Sequence, residues 1–490
     1  MVNIMFKPRP FSRWSVLFLV LIAFVAAWST FSGIATVRYH GDEGTYLNDS
    51  VWYEQWISRD FTSLRKMNDR VLLEAPLGSL ISGFSRQLAG LALPAGGYRW
   101  DFNLPWDQAL PKATTPSASM LVAGRLPMDL LTFATIMLLA SVLLNQVGFV
   151  ASACVTLLIT ANLSVMEPLR KVMTESPLLF FSILGCVLCA RSVMQLAVDT
   201  RRPRVLLLFC LAGMAVGLST ASKHNGVTAL GAFFVTIPLA LIVAKSATPA
   251  LSYFRRFRSV SLQTIFYSTV SGIAVAGVFF TLNPFLWSDP IQAVNAIINK
   301  RNQLSTIQQH TFSSQALLEL SDRIPAGVKH LFTQDSSFGC DPRDDGRVVM
   351  DTVTKTFQWV QPTTQAALSN SFLCAQSTFW SVNIRPITLL NITLCIIGIA
   401  SLLYTQLRMW KARSFISPAT TLLIWSIAVN LPIVLLSPLD WGRYYVLPVF
   451  FTTIWIAIGL AQAITWIGKV LRQSLSMLKP SSAPALPRII

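Results

Sequence analysis

The chain has 490 residues, 53% of them hydrophobic and 12% charged, with a mean hydropathy of +0.54. This is more apolar surface than one water-soluble core holds and far more than a single anchor needs, so the composition describes a polytopic membrane protein. A net charge of +17 and a pI near 9.9 would suggest nucleic acid in a soluble chain, but here the excess is explained by membrane sidedness, and no nucleic acid is expected as a partner.

Each crossing of the hydrocarbon core takes about 20 apolar residues. Windows of that kind lie near 14–35, 126–145, 148–166, 177–190, 204–221, 226–244, 261–285, 386–407, 415–437 and 444–468, so ten spanning helices are expected. The first follows Lys7, Arg9 and Arg13 as a signal peptide would. Its apolar run is longer than a signal h-region and no small-x-small site closes it, so it reads as a span. With the N-terminus inside, the short cytoplasmic pieces hold eighteen Lys/Arg and one acid, Asp199. That leaves 21 of the 39 basic and 21 of the 22 acidic residues elsewhere, so the whole excess lies inside, as the positive-inside rule requires. Both termini are therefore expected in the cytoplasm.

Two outer segments are long, 36–125 and 286–385. In the first, Val51, Trp52, Tyr53, Trp56 and Ile57 recur at helical spacing, and the apolar stretch 71–93 is broken by Glu74, Pro76 and Arg86. Both read as helices lying in the interface; an eleventh span at 71–93 would invert every later loop and destroy the charge pattern. Of seven cysteines, five (Cys154, Cys186, Cys189, Cys210, Cys395) fall in spans as small apolar residues. Cys340 and Cys374 share the second outer loop, where a disulfide would suit an oxidising compartment. The Ser/Pro/Ala-rich tail after Lys479 reads as disordered.

Within the spans the one ionisable residue is Asp129, placed by the window at 126–145 within a turn of the outer end. Ion-coupled transporters carry such groups near the midplane, so this arrangement argues against them. Polar residues gather instead where helices meet the outer surface. Six runs do so: His40 to Asp49 with Asp42, Glu43 and Tyr46; Gly124-Arg125; Glu167 to Glu175 with Arg170 and Lys171; Ser222 to Gly226 with Lys223, His224 and Asn225; Asn283 to Asp289; and Asp440 to Tyr445 with Arg443 and Tyr444. Any one run reads as an interfacial anchor, but six on one face, mixing carboxylates with cations, read as the rim of an active site. Group transfer from a lipid-linked phosphate would use it. Arg125, Arg170, Lys171, Lys223 and Arg443 are candidates to stabilise a phosphate leaving group, and Asp42 or Glu43 to take the proton of an attacking hydroxyl.

These residues resemble the C-type glycosyltransferase superfamily, multispan enzymes that include protein O-mannosyltransferases and lipid A aminoarabinose transferases. The similarity is diffuse, best from His40 to Asp289 and again at Asp440 to Tyr445. Its most specific piece is Asp42-Glu43 with Tyr46, an acidic pair in the first outer loop. The resemblance implies an all-α membrane fold with interfacial helices and two long outer loops. It makes Asp42 the catalytic carboxylate and Glu43 its acidic partner, with donor-phosphate contacts from Arg125, Arg170, Lys171, Lys223 and Arg443. Tyr46, Glu175, His224, Asn225, Asp440 and Tyr444 are expected to position substrate; Glu175 stands where the family commonly has Asp.

The implied organisation is a catalytic transmembrane module, 1–285, containing the first outer loop 36–125; an outer region, 286–385, covering the crevice with Trp359 and Trp380; and C-terminal helices with a cytoplasmic tail, 386–490. A polyprenyl-phosphate sugar donor, an acceptor hydroxyl on protein, lipid or glycan, and the bilayer are the expected partners. His40, Asp42 and Glu43, with His224, are the one set that could hold a divalent cation, but HExxH or DxD spacing is lacking, and metal independence is the expectation. His310 and His330 read as surface residues. Compact loops and the lack of a retrieval tail favour a bacterial inner membrane with the site on its periplasmic face. A lipid-linked sugar flippase and a polymerase or ligase using lipid-diphosphate oligosaccharides remain alternatives.

Overall fold

The structure is a computed structural model of the 490-residue chain. It describes residues 13–37, 40–65, 69–93, 116–198, 202–246, 253–311, 313–332, 347–350, 357–360, 384–411, 416–440 and 442–477. The expected Cys340–Cys374 disulfide, Trp380 and the tail after Lys479 lie outside these residues, as does the side chain of Trp359.

Every expected span holds a helix: α1 (Arg13–Phe31), α7 (Ala118–Gln146), α8 (Phe149–Ala161) with α9 (Leu163–Leu169), α10 (Glu175–Val198), α11 (Arg202–Ser222), α12 (Leu230–Ser246), α13 (Tyr253–Leu282), α16 (Ile384–Lys411), α17 (Pro418–Leu436) and α18 (Val446–Met477). Among the described residues eight helices are long and apolar enough to cross a membrane, nine if α8 and α9 make one span; α1 is a shorter apolar helix. The third span is not straight. Asn162 leaves helical geometry (φ −85°, ψ 102°) and α9 turns 70° from α8. The Asn162 amide donates to Thr453 Oγ1 at 3.2 Å, which ties the break to α18.

Helices without a water-driven reason to associate need close approach and polar contacts. Gly213 and Gly217 of α11 lie against α13, where a Cβ would stand 2.4 Å from the Ser271 carbonyl and 3.0 Å from that of Val275. Gly398 of α16 and Gly459 of α18 meet more tightly, a Cβ on Gly459 falling 1.9 Å from the Leu394 carbonyl. Trp425 is wholly buried at the centre and its indole donates to Ser182 Oγ at 3.1 Å. On the periphery Leu17, Val20, Leu21, Phe24 and Trp28 of α1 and Ile265 and Ile273 of α13 are exposed, the surface that lipid would cover.

Between α1 and α7 the chain forms five short helices, α2 (Gly41–Asn48), α3 (Val51–Ile57), α4 (Phe61–Leu64), α5 (Asp69–Leu73) and α6 (Leu77–Leu88). None is long enough to span, so the stretch 71–93 is no eleventh crossing. Arg86, which interrupts its apolar run, is 2% exposed; it pairs with Glu54 and donates to Ser50 Oγ at 3.0 Å, fastening α6 to α3. The segment after α13 carries α14 (Pro290–Thr311) and α15 (Leu320–Phe332), and a two-stranded antiparallel ladder, β1 (Arg347–Met350) with β2 (Phe357–Val360), pairs Arg347 with Val360.

Asp129 is deeper than its hydropathy window suggests. The window opens at 126, but α7 begins at Ala118, capped by Ser117 Oγ accepting from Met120 N at 3.3 Å. Asp129 is therefore about three turns inside the helix. It is fully buried, and neither carboxylate oxygen has a hydrogen-bond partner among the described residues.

Candidate active site

Five of the six polar runs touch one another, which puts the ends of α1, α7, α9, α10, α11 and α18 at one end of the bundle. The acidic pair opens α2, and His40 caps it: Nδ1 accepts from Asp42 N at 3.2 Å, while Glu43 Oε1 accepts from His40 N at 3.0 Å. The His40 ring titrates below its ordinary value, mainly because burial disfavours the cation; Lys171 and Arg443 push the same way and Asp42 opposes. A neutral ring is what the cap needs, since its Nδ1 must accept.

The reciprocal cap turns Glu43 inward and leaves Asp42 outward. Glu43 is fully buried, as is Arg125. Arg125 Nε donates to Glu43 Oε2 at 2.7 Å and Nη2 to Oε1 at 2.8 Å, while Nη1 donates to Ile34 O at 2.9 Å. Glu43 Oε2 also accepts from Val172 N at 3.1 Å. Arg125, expected on the donor phosphate, thus faces Glu43 instead, and the two join α2, α7 and the turn before α10 into one unit. Gly124 permits this, because a Cβ there would lie 2.7 Å from both Leu47 and Val172.

Asp42, by contrast, is one-third exposed and forms an ion pair with Arg443, 401 residues away and one-quarter exposed. The Arg443 guanidinium lies 5.6 Å from the Tyr444 ring centroid, and Tyr444 donates to Gln308 Oε1 of α14 at 3.3 Å. Lys223 Nζ contacts Glu175 Oε1 at 2.8 Å with a quarter of its side chain exposed. Tyr46 donates to Glu74 Oε2 at 2.7 Å. Burial, with Glu74, Glu175 and Asp42 nearby, raises the Tyr46 phenol well above its ordinary value, so it remains a donor. Asp42, Tyr46, Glu74, Glu175, Lys223 and Arg443 form a partly open cluster of carboxylates and cations.

The other expected residues are arranged differently. Lys171 is buried on Glu167 at 2.5 Å, and Arg170 donates to the Ser32 carbonyl. Asn225 Oδ1 has no hydrogen-bond partner among the described residues, and His224, whose two ring nitrogens also have none, packs edge-on against Phe279 with centroids 6.0 Å apart. It cannot join His40, Asp42 and Glu43 around a cation, and with both Glu43 oxygens on Arg125 the expected set does not fit a metal. Among the described residues no three His, Cys, Asp or Glu side chains are grouped to hold one.

Two histidines separate here. His310 is exposed, as expected. His330 is not a surface residue: it is 4% exposed, lies 2.5 Å from Asp440 Oδ1 and stacks on Tyr445 at 4.5 Å. Asp440 also meets Lys329 at 3.6 Å and its backbone N donates to Gln315 O at 2.9 Å, contacts that dock the segment around α15 beside Arg443. Glu74 was legible only as a break in an apolar run, since the signal that assigns it, contact with Tyr46, is 28 residues away.

No protein-family profile and no curated protein sequence matches the chain. Its fold is similar to the S. cerevisiae protein O-mannosyltransferase Pmt1-Pmt2 complex bound to the sugar donor, at 17% identity and TM-score 0.41, over 59% of this chain and 35% of that one. It is also similar to the Archaeoglobus fulgidus oligosaccharyltransferase AglB in complex with an inhibitory peptide and a dolichol-phosphate (14% identity, TM-score 0.42, 96% of this chain and 52% of that). The apo form of the A. fulgidus oligosaccharyltransferase gives 13% identity and TM-score 0.44, over 94% and 52%. The chain spans about a third to a half of the length of these solved chains.

Proposed function

We propose that the chain is an integral membrane glycosyltransferase that moves one sugar from a polyprenyl-phosphate donor to an acceptor hydroxyl at the outer membrane face. The observation that carries this reading is the pairing of a one-third-exposed Asp42 with Arg443, at the mouth of a cluster where Lys223, Tyr46, Glu74 and Glu175 also converge. The outer assignment follows from charge: the opposite helix ends carry the basic loops.

In the reaction the acceptor oxygen forms a bond to the anomeric carbon as the bond from that carbon to the phosphate oxygen breaks. The electron pair leaves with the phosphate, and the acceptor proton passes to Asp42. The family resemblance implies inversion, which places Asp42 across the sugar from the phosphate. Arg443 orients Asp42 by its ion pair, and Lys223, as exposed as Arg443 but paired with Glu175 rather than Asp42, meets the developing phosphate charge. Glu43 and Arg125 hold the loop that presents Asp42 and touch no substrate. The lipid tail remains among the helices, which is why such a reaction would be built on membrane spans. A flippase would need polar groups along a crossing path, whereas here, apart from the buried Asp129, they gather at one end of the bundle.

The test is transfer of radiolabelled sugar from synthetic polyprenyl-phosphate sugars to membrane extract, by the wild type and by Asp42→Asn, with folding monitored in both. Transfer by the wild type and its loss in a folded Asp42→Asn protein supports the assignment. Binding of a monophosphate donor with no transfer from any of them would refute it and favour lipid-diphosphate ligation or flipping.

A further inference from the structure

The helix α15 crosses the cluster end of the bundle, and its contacts fix both its level and its roll. Arg323 Nη1 donates to Leu435 O at 2.9 Å, and a Cβ on Gly327 would stand 2.5 Å from Val434 Cγ1, so the helix lies beside the last turn of α17. At its other end Phe332 O accepts from the amide of Asn391 at 3.1 Å, about two turns inside α16. Ala326, Gly327 and His330 are buried on this inner side.

A helix advances about 100° per residue, so positions four apart stay within about 40° of one another. Leu320, Ile324 and Val328 therefore form one stripe, and all three are exposed, as is Leu318 just before the helix. The stripe borders the inner side and avoids the charged one: Asp322 and Lys329, both exposed, lie about 160° and about 140° round the helix from Ile324. Lys329 Nζ meets Asp440 Oδ2 at 3.6 Å, so the charged side is the one turned towards the cluster. The helix thus has three sides, one packed on the spans, one charged, and one apolar and exposed.

An exposed apolar stripe rimmed by charge marks an interaction surface, and the level of α15 identifies the partner. The residues that flank its contacts, Leu431 and Leu436 on α17 and Leu389 and Leu390 on α16, are exposed members of spanning helices, part of the surface that lipid would cover. The stripe continues that surface rather than standing above it. A protein partner would need more, since four side chains at one helix fall well short of the roughly 800 Å² per partner that a stable interface buries. A helix with one charged and one apolar side fits the plane where head groups meet acyl chains. We propose that α15 is seated in the leaflet at the cluster end of the bundle, with Leu320, Ile324 and Val328 among the acyl chains. Through Lys329 and His330 the same helix holds Asp440, three residues before Arg443, so the seat sets the height of the Asp42–Arg443 pair relative to the head groups. This inference needs only the membrane spans and does not rest on the glycosyl-transfer reading.

The experiment uses the full chain in phosphatidylcholine nanodiscs, with the photoreactive residue p-benzoylphenylalanine in place of Ile324, of Val328 or, as the control on the charged side, of Asp322. Excited benzophenone inserts into a C–H bond that it touches and returns unchanged from water, so the mass of the irradiated protein names the neighbour. The expected result is a phospholipid adduct from positions 324 and 328 and its loss at 322, with the thermal midpoint confirming that each protein is folded. Position 328 carries the test should the 324 variant fail to fold. A crosslink between two chains overturns the proposal in favour of a second copy, and a crosslink within one chain overturns it in favour of self-coverage. No adduct from 324 or 328 means that the stripe faces water, and an equal lipid adduct from 322 means that the helix has no charged side out of the lipid; either result refutes the seat. If the lipid adducts form as expected and the wild type transfers no sugar, the seat stands and the transfer reading fails alone.

Discussion

Replacing Glu43 by Gln separates a structural acid from a reacting one. Both oxygens of Glu43 are engaged by two donors each: Oε1 by His40 N and Arg125 Nη2, Oε2 by Val172 N and Arg125 Nε. Whichever way the amide of Gln is turned, its NH₂ faces two N–H donors, and the guanidinium is left without a counter-charge in a site where both side chains are 0% exposed. An exposed pair would be worth about 0–1 kcal/mol, but breaking a buried pair from one side costs about 3–5 kcal/mol. That is a change of about a hundred- to a few-thousand-fold in the unfolding equilibrium. The assay is unfolding in mixed micelles followed by tryptophan fluorescence. Glu43→Gln should be destabilised by that amount, and Glu43→Leu combined with Arg125→Met should recover most of the loss, since no unpaired charge remains. If Glu43→Gln unfolds with the wild type and loses only transfer, Glu43 takes part in the reaction and its structural assignment here is wrong.

Two further outcomes follow from the same loop. His40 titrates below its ordinary value of 6.5 in the folded protein, so the unfolded chain takes up the proton first. Its stabilising contribution is full above pH 6.5 and is lost as the pH falls towards the folded value; His40→Asn, a cap that does not titrate, should lack that part of the acid dependence, and identical pH profiles of thermal midpoint would refute the cap. Gly124→Ala should cost about 1–3 kcal/mol by overpacking, because the new Cβ meets Leu47 and Val172, both 0% exposed; wild-type stability would show that the contact relaxes freely.

The spans and their order were legible because hydropathy needs only the local sequence: a run of about 20 apolar residues has no other stable place, and the loop charges orient it. Helix ends were less legible. The window for α7 opened eight residues late, since helix formation does not stop at the apolar boundary, and this misplaced Asp129; Ser117, a good N-cap, was the signal that would have moved it. The 70° break at Asn162 was also invisible, because its cause includes a hydrogen bond to a helix 291 residues away.

For the site, the sequence by itself determined which residues carry charge and at which end of which helix they sit. It could not decide which of two adjacent acids faces outward, because Asp42 and Glu43 are equivalent in composition and differ only in their partners. Tertiary structure made that choice. Arg125, 82 residues away, fills the space behind α2 and takes Glu43, while Arg443 arrives from the last helix beside Asp42. The same holds for the aromatic contacts of Trp56 and Phe61 with Trp287, more than 200 residues away. Burial and ion pairing depend on the distance between side chains after the helices pack, and no local pattern of residues contains that distance.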